Sequence, residues 1–338
     1  MPSRLATALA AAALALSAIV AQDKPASLGG LDRKDPKFDE IIPKDAKIEL
    51  LAGGFKWTEG PVWVKDGGYL LFSDIPNNVV RKWSPKDGLK EFLKPSGYTG
   101  SAKFDGGEPG SNGLAIDKSG GLVLCQHGDR RVARLAKDGK FETLVDKYMG
   151  KRLNSPNDLV YHPNGDLYFT DPPYGLPKWD KDPARELDFQ GVYRLRPNGE
   201  VTLLTKEMSR PNGIGLSPDA KTLYVANSDP DKAIWMAFPV KEDGTLGAGK
   251  QLYDATADVK AHPDKGLPDG LKVDQKGNIF ATAVNGVYVF SPDGKLLGRI
   301  VTNDKTANCA FGDDGTTLYM ATNDKLTRVK ASTKGIGF

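Results

Sequence analysis

Short apolar runs separated by polar turns recur along the whole chain. Six times, a polar turn leads into a β-rich apolar run. The six copies begin at Gly67, Gly120, Asn164, Ala220, Lys276 and Gly315. Their starts are about 40 to 55 residues apart, a spacing typical of repeated small sheets rather than of single strands. The pattern therefore predicts an all-β fold built from six similar units.

Each unit contains further apolar runs around this one. An apolar run precedes it, a third follows, as at Val79–Trp83 and Val192–Leu195, and most units close with a fourth, as at Leu89–Leu93 and Val201–Thr205. Four short antiparallel strands at this period are the signature of a propeller blade. We therefore predict one domain, a six-bladed β-propeller over residues 46–338.

The two ends of the repeat region complement each other. The sixth unit has only three strands before the chain finishes, and an unpaired strand, Lys47–Leu51, stands before the first unit. If that strand completes the sixth sheet, the ring closes without an open edge. Residues 22–45, rich in proline, lysine and aspartate, are predicted to form an extended leader wrapped on the outside.

The first 21 residues differ from the rest of the chain. Arg4 precedes an Ala/Leu-rich apolar run, Leu5 to Val20, which ends in small residues near Ala21. This is the pattern of a secretory signal peptide. A retained membrane anchor is the alternative, because the run approaches the length that spans a bilayer. We predict export to the periplasm or the cell exterior, with no membrane partner after cleavage of residues 1–21.

Composition narrows the possible partners. The chain is 39% hydrophobic and 26% charged, with a net charge of +3 in 338 residues. Basic and acidic residues are interspersed, so no nucleic-acid-binding surface is indicated. Cys125 and Cys309 both lie in apolar strand patterns, where we expect free buried thiols, with a disulfide as the alternative.

One polar residue occupies the same phase in every unit, at the head of the predicted innermost strand. These residues are Glu59, Asn112, Asn157, Asn212, Asp269 and Asn308. Because the first strand of each blade lines the central channel, they should form a ring of oxygen-bearing side chains. A ring of converging oxygens is a cation site.

The donor types indicate which cation. Two carboxylates and up to four amides, without His or Cys, suit a hard ion such as Ca²⁺. Zn²⁺ prefers His or Cys ligands and Mg²⁺ requires stricter geometry, so Mg²⁺, Mn²⁺ and Zn²⁺ are kept as alternatives. Asn-Gly and Asp-Gly are also common hairpin turns, and any single instance could be one.

Several longer motifs carry a family resemblance. They are EGPVW (59–63), GSNGLAID (110–117), HGDRRVARL (127–135), the long stretch 150–176, RPNGIGLSPD (210–219) and PDGLKVD (268–274). Through them nearly the whole mature chain resembles the SMP-30/gluconolactonase/LRE-like family, especially its bacterial gluconolactonase branch. The resemblance implies a six-bladed propeller with one catalytic divalent cation and lactone hydrolase activity.

The resemblance also implies roles for individual residues. By motif match, the metal ligands are Glu59, Asn157, Asn212 and Asp269, and Asp269 is also the residue that transfers protons. Asn157 and Asn112 are expected to hydrogen-bond the substrate. Several relatives have an arginine two residues before the asparagine, where this chain has Ser155. Arg152 is the candidate replacement for contacts to substrate hydroxyls, and pairing with a nearby acid is its alternative role.

Two further candidates lie outside the ring. His127 ends a second strand on the expected active-site side and is a candidate auxiliary acid or base. Tyr174, in the proline-containing loop TDPPYG, is a candidate substrate contact. For both, a purely structural hydrogen-bonding role is the alternative. A serine hydrolase is disfavoured because no G-x-S-x-G motif follows a strand.

Together these features predict hydrolysis of a small sugar lactone, with the cation polarising the carbonyl and Asp269 assisting proton transfer. Gluconolactone is the family's usual substrate. An arylesterase or phosphotriesterase using the same metal is one alternative. The other is a non-catalytic propeller that binds sugar or protein and holds a structural metal. A small-molecule lactone is the expected partner, and the sequence leaves open a monomer or a dimer.

Overall fold

The computed structural model describes residues 28–338, so the predicted signal peptide at 1–21 lies outside the described residues. The described chain begins with strand β1 (Gly30–Arg33), the one-turn helix α1 (Phe38–Ile41) and strand β2 (Glu49–Gly53). The repeats follow. Helix α2 (Thr256–Ala261) comes after the fourth of them, and short 3₁₀ turns lie at Lys65–Gly67, Ile75–Asn77 and Trp179–Lys181.

Six antiparallel sheets form the ring of a six-bladed propeller, which confirms the predicted fold. Blade 1 consists of β3 (Thr58–Val64), β4 (Tyr69–Asp74), β5 (Val79–Ser84) and β6 (Gly88–Leu93), and blade 2 of β7 (Ser111–Ile116), β8 (Leu122–Gln126), β9 (Arg131–Leu135) and β10 (Phe141–Val145). After the small hairpin β11 (Lys147–Tyr148) and β12 (Lys151–Arg152), blade 3 consists of β13 (Leu159–Tyr161), β14 (Leu167–Asp171), β15 (Gly191–Leu195) and β16 (Val201–Thr205), and blade 4 of β17 (Pro211–Leu216), β18 (Thr222–Asp229), β19 (Lys232–Pro239) and β20 (Lys250–Asp254). Blade 5 consists of β21 (Leu271–Val273), β22 (Ile279–Ala283), β23 (Gly286–Phe290) and β24 (Leu296–Val301), and blade 6 contains β25 (Asn308–Gly312), β26 (Thr317–Thr322) and β27 (Lys325–Lys330).

The ring closes as the sequence predicts. Strand β2 pairs antiparallel with β27 and becomes the outer strand of blade 6. Glu49 lies opposite Arg328 in this ladder, and its Oε2 is 2.7 Å from the arginine Nε. The first and last parts of the propeller are thus joined in one sheet, so blade 6 does not expose β27 as an open edge.

Residues 28–45 of the predicted leader form regular structure on the outside of the ring. Strand β1 pairs with β24 and adds a fifth strand to blade 5. Helix α1 then places Phe38 and Ile41 in the same core cluster as side chains of blades 5 and 6. Phe38 is fully buried, and a side chain at Gly298 would collide with its ring. This segment is therefore packed as part of the propeller.

Hydrophobic side chains fill the spaces between neighbouring blades. Between blades 4 and 5, for example, the ring centroid of Trp235 is 5.7 Å from that of Tyr288 and 5.2 Å from that of Phe290. Cys125 and Cys309 are buried in this kind of packing and are free thiols. Within residues 28–338, no helix is both long and apolar enough to cross a bilayer.

If the leader helix is integral to the propeller, Phe38→Ala should lower the free energy of unfolding by about 3–5 kcal/mol, the usual cost of emptying a buried phenylalanine site. Phe92→Ala is the matched control, because Phe92 lies on an outer strand and is 38% exposed; its cost should stay near about 0.5 kcal/mol. Chemical denaturation measures both. Equal, small losses would show that the helix is not part of the folded core.

Candidate active site

The six ring residues lie at the same end of the inner strands. Glu59 is in β3, Asn112 in β7 and Asn212 in β17, while Asn308 begins β25. Asn157 and Asp269 precede β13 and β21 by two residues. The side chains therefore face the channel from six different blades.

The glycines that follow ring residues allow neighbouring inner strands to approach closely. A Cβ at Gly113 would lie 2.6 Å from the carbonyl oxygen of Asn157, and one at Gly213 would lie 2.0 Å from that of Asp269. Gly113 and Gly213 are within strands β7 and β17 rather than in hairpins. The hairpin-turn interpretation is therefore wrong at these two positions. Glycine is needed there because the backbone of the neighbouring blade leaves no room for a side chain.

The inner strands are irregular at the same positions. The β3–β4 ladder shifts register between Glu59 and Val62, and the β7–β8 and β17–β18 ladders shift at the corresponding places. Bulges of this kind turn side chains away from the regular alternation and are frequent beside active sites. Here they direct the ring residues toward the axis.

Hydroxyl groups connect each odd-numbered blade to the next blade around the axis. Ser73 in blade 1 donates to the carbonyl oxygen of Asn112 in blade 2, with an oxygen–oxygen distance of 2.8 Å. Thr170 in blade 3 donates to the carbonyl of Asn212 in blade 4 at 2.7 Å, and Thr282 in blade 5 donates to that of Ala307, next to blade 6, at 2.8 Å. These bonds fix the backbone that carries the ring.

Asn308 directly shows that side chains from different blades meet at the axis. Its Nδ2 is 3.1 Å from Glu59 Oε2 in blade 1 and 3.4 Å from Asp158 Oδ2 at the head of blade 3. Its Oδ1 accepts from the backbone N–H of Cys309 at 2.9 Å. Because its amide is engaged on both sides, Asn308 acts as a bridge between two carboxylates.

A cavity of about 280 Å³ opens at this end of the channel. Its walls include Glu59, Asn112, Asn157, Tyr174, Asn212 and Asp269. The structure thus brings all four predicted metal ligands, and three of the four predicted substrate contacts, to one cavity. A larger cavity, of about 430 Å³, lies at the other end of the inner strands and has mainly apolar walls, such as Val62, Leu114 and Phe311. It lacks the convergent oxygens.

Several oxygens in the polar cavity have no hydrogen-bond partner. Asn112 Oδ1, Asn157 Oδ1 and Asp269 Oδ1 are buried and unpartnered within residues 28–338. The amide nitrogen of Asn212 donates to Ser228 Oγ at 2.9 Å, which leaves its oxygen for another ligand. Unpaired buried acceptors each cost about 1–3 kcal/mol, and a cation would satisfy them. The four predicted ligands supply two carboxylates and two carboxamide oxygens, and this donor set fits a hard divalent ion.

Three carboxylates, those of Glu59, Asp158 and Asp269, lie close together at this end of the channel. Burial raises the pKa of Glu59, and the charge of Asp158 raises it further. Burial likewise raises the pKa of Asp269 well above its ordinary value, with added repulsion from Glu59 and Asp158. Each group is thus destabilised as an anion by the others. Positive charge placed among them would reverse the effect.

Asp171 positions the segment that carries Asn157. It is fully buried, and its two oxygens accept the backbone N–H groups of Asn154 and Ser155, each at 2.8 Å. Burial raises the pKa of Asp171 to about 7, and the two backbone hydrogen bonds, which act in the opposite direction, offset only part of this rise. Asn227 plays the equivalent part in blade 4, where its Oδ1 accepts the N–H of Arg210 at 2.8 Å.

The remaining predicted residues are placed differently. Tyr174 lines the cavity, its buried hydroxyl has no hydrogen-bond partner among residues 28–338, and burial raises its pKa. His127 is completely buried and does not line the cavity. Arg152 also lies outside the cavity wall, and its guanidinium donates to the carbonyl oxygen of Asp129 at 2.9 Å.

Sequence reasoning missed several residues at this site. Glu108, Trp57 and Trp179 line the cavity from connecting segments, and Asp158 lies beside Asn157 at the axis. Loop residues have no periodicity to reveal them. Asp158 could have been found, because the motif Ser155–Asp158 places a second acid directly after a ring residue.

These features define a class of protein: a six-bladed β-propeller whose channel ends in an oxygen-lined, acid-containing cavity. The family model of the SMP-30/Gluconolactonase/LRE-like region matches residues 57–324. The chain belongs to this family.

Individual relatives agree with the family match. A gluconolactonase from Zymomonas mobilis is 40% identical over 316 residues, covering 91% of this chain and 88% of the relative. A pentonolactonase from Haloferax volcanii is 26% identical, covering 78% and 80%. The solved structure of a gluconolactonase from Xanthomonas campestris superposes with a TM-score of 0.78 at 31% identity, covering 91% and 96%. The predictions of the family and of the lactonase class of enzyme are confirmed.

The close-approach role of glycine can be tested at Gly213. The Gly213→Ala variant must push its new Cβ away from the Asp269 carbonyl, so we expect a loss of about 1–3 kcal/mol in the free energy of unfolding together with loss of activity. Gly30→Ala is the control, because a Cβ there meets nothing within 4 Å. Denaturation and activity assays on both variants decide the point; a Gly213→Ala protein of wild-type stability and activity would contradict it.

Proposed function

We propose that this protein hydrolyses a small sugar lactone in the cavity at the channel end, using one bound divalent cation, with Ca²⁺ favoured. The observation that carries the proposal is the convergence of Glu59, Asn157, Asn212 and Asp269 on one cavity. Sugar lactone hydrolysis is also supported by the relatives' lactonase names.

The four convergent residues would hold the cation. Their oxygens are either unpartnered, as in Asn157 and Asp269, or oriented by a neighbour, as in Asn212. An all-oxygen set containing two carboxylates suits Ca²⁺ better than an ion that prefers nitrogen or sulfur. When bound, the cation supplies positive charge near the lactone carbonyl oxygen, where negative charge develops during hydrolysis.

The protein's own groups have separate tasks. Asp269 takes a proton from the attacking water with its second carboxylate oxygen, the one that does not hold the cation. The buried Oδ1 of Asn112 accepts a hydrogen bond from a substrate hydroxyl. The Tyr174 hydroxyl, which is unpartnered in the part of the chain that the structure describes, supplies a further contact to the substrate.

The size and walls of the cavity favour a small polar substrate. About 280 Å³ is near the lower end of the range for ligand pockets. Trp57 and Trp179 lie among the lining residues and present aromatic surface beside the polar floor. A polyhydroxylated ring has both hydroxyls for the asparagines and C–H faces for the aromatic groups. We further propose that the protein acts after export, since residues 1–21 have the signal-peptide pattern.

A lactone-opening assay tests the proposal. Acid release from glucono-δ-lactone should be rapid with the wild-type protein, abolished by a chelator and restored by Ca²⁺. Asp269→Asn should lower kcat by about 10²-fold or more without loss of stability, because it removes one of two mutually repelling carboxylates. Asp264→Asn, at an exposed position in the preceding loop, is the matched control and should behave like the wild type.

Two results would contradict the proposal. The first is lactone hydrolysis that neither the chelator nor Asp269→Asn affects. The second is an absence of lactone opening combined with metal-dependent cleavage of aryl esters or phosphotriesters, which would assign the same site to a different reaction.

A further inference from the structure

Glu108, in the wall of the cavity, forms a carboxylate–imidazole pair with His127, which is buried behind it. His127 Nδ1 is 3.0 Å from Glu108 Oε2. Glu108 lines the cavity with its side chain 29% exposed, whereas the side chain of His127 is 0% exposed. His127 therefore has no direct access to a substrate in the cavity and can affect one only through Glu108.

The imidazole is enclosed by close backbone packing. A Cβ at Gly175 would lie 2.6 Å from the Cβ of His127, so the loop carrying Tyr174 packs directly against the histidine. At the next residue, a Cβ at Gly128 would lie 2.5 Å from the Cβ of Tyr98, so the chain is closely packed there too. With its side chain 0% exposed, His127 has no contact with bulk solvent.

The hydrogen-bonding state of the ring is unusual for a structural histidine. Apart from the Glu108 contact, neither ring nitrogen has a partner within residues 28–338, and that contact is not aligned as a hydrogen bond. An unsatisfied buried donor or acceptor costs about 1–3 kcal/mol. Catalytic hydrogen bonds are often poorly aligned without substrate and tighten when it binds. This pattern distinguishes His127 from a residue kept only for packing.

Lactone hydrolysis requires a second proton transfer besides the one assigned to Asp269. When water adds to the carbonyl carbon, it loses a proton. When the bond between that carbon and the ring oxygen breaks, the ring oxygen must gain one, because an alkoxide is a poor leaving group. Glu108 is a carboxyl group in the cavity wall that has no part in the predicted cation site.

We infer that Glu108 donates the proton to the departing ring oxygen and that His127 is the positioning residue that holds Glu108 in place. This inference rests on the proposed lactonase function. The water oxygen bonds to the carbonyl carbon, Asp269 takes one water proton, the ring C–O bond breaks and the ring oxygen takes the Glu108 proton. The product is the open hydroxy acid; Asp269 then releases its proton to solvent, and Glu108, whose side chain is 29% exposed, takes one from solvent.

Glu108→Gln tests the assignment, because it preserves shape but cannot donate an acidic proton. On the lactone, kcat should fall about 10²-fold while KM changes by less than about 3-fold. On the corresponding thiolactone the loss should be below about 10-fold, because a thiol has a pKa near 8.5 and its thiolate leaves without protonation. Glu142→Gln is the control, since Glu142 is on outer strand β10 and its side chain is 59% exposed.

His127→Gln should show a smaller loss with the same selectivity for the thiolactone over the lactone, which a merely structural defect would not produce. Equal losses on both substrates, a raised KM with unchanged kcat, or wild-type kinetics in Glu108→Gln would each overturn the inference. Failure of the lactonase proposal itself is distinguishable, because the wild-type protein would then lack cation-dependent lactone hydrolysis before any change at Glu108.

Discussion

The candidate site depends on the close approach of the carboxylates of Glu59, Asp158 and Asp269 at one end of the channel. Each carboxylate is held in a poorly solvated channel end, and the pKa of Glu59 and of Asp269 is raised as a result. Such an arrangement is costly for folding unless positive charge or hydrogen bonds offset it. Asn308 offsets part of the cost by donating to Glu59 and Asp158. The oxygens of Asn157 and Asp269 that have no partner within residues 28–338 are available to coordinate a cation.

The propeller provides this arrangement through backbone packing rather than through any single long-range contact. Glycines inside the inner strands let neighbouring blades come together, and the hydroxyls of Ser73, Thr170 and Thr282 bind the backbone of the following blade. Closure of the ring by β2 and packing of the leader helix hold the blades at fixed positions. A site assembled from six blades is consequently as rigid as the whole ring.

The fold and the ring residues were predictable because both arise from repetition. Strand periodicity revealed the blades, and the phase of Glu59, Asn157, Asn212 and Asp269 placed them together at one channel end. Local pattern was less reliable where one dipeptide has two uses: Asn112-Gly113 resembles a hairpin turn but lies within strand β7. Residues supplied by loops, such as Glu108 and Trp179, were invisible because loop conformation depends on tertiary packing. Likewise, nothing local in the sequence shows that Arg152 turns toward Asp129.

The most direct test of this account is a crystal structure of the protein grown with Ca²⁺, with the ion located by its anomalous scattering. We expect one strong peak at the channel end, about 2.3–2.6 Å from oxygens of Glu59, Asn157, Asn212 and Asp269. A channel end without an ion, in which these oxygens are satisfied by water or by one another while Ca²⁺ binds elsewhere or nowhere, would contradict it.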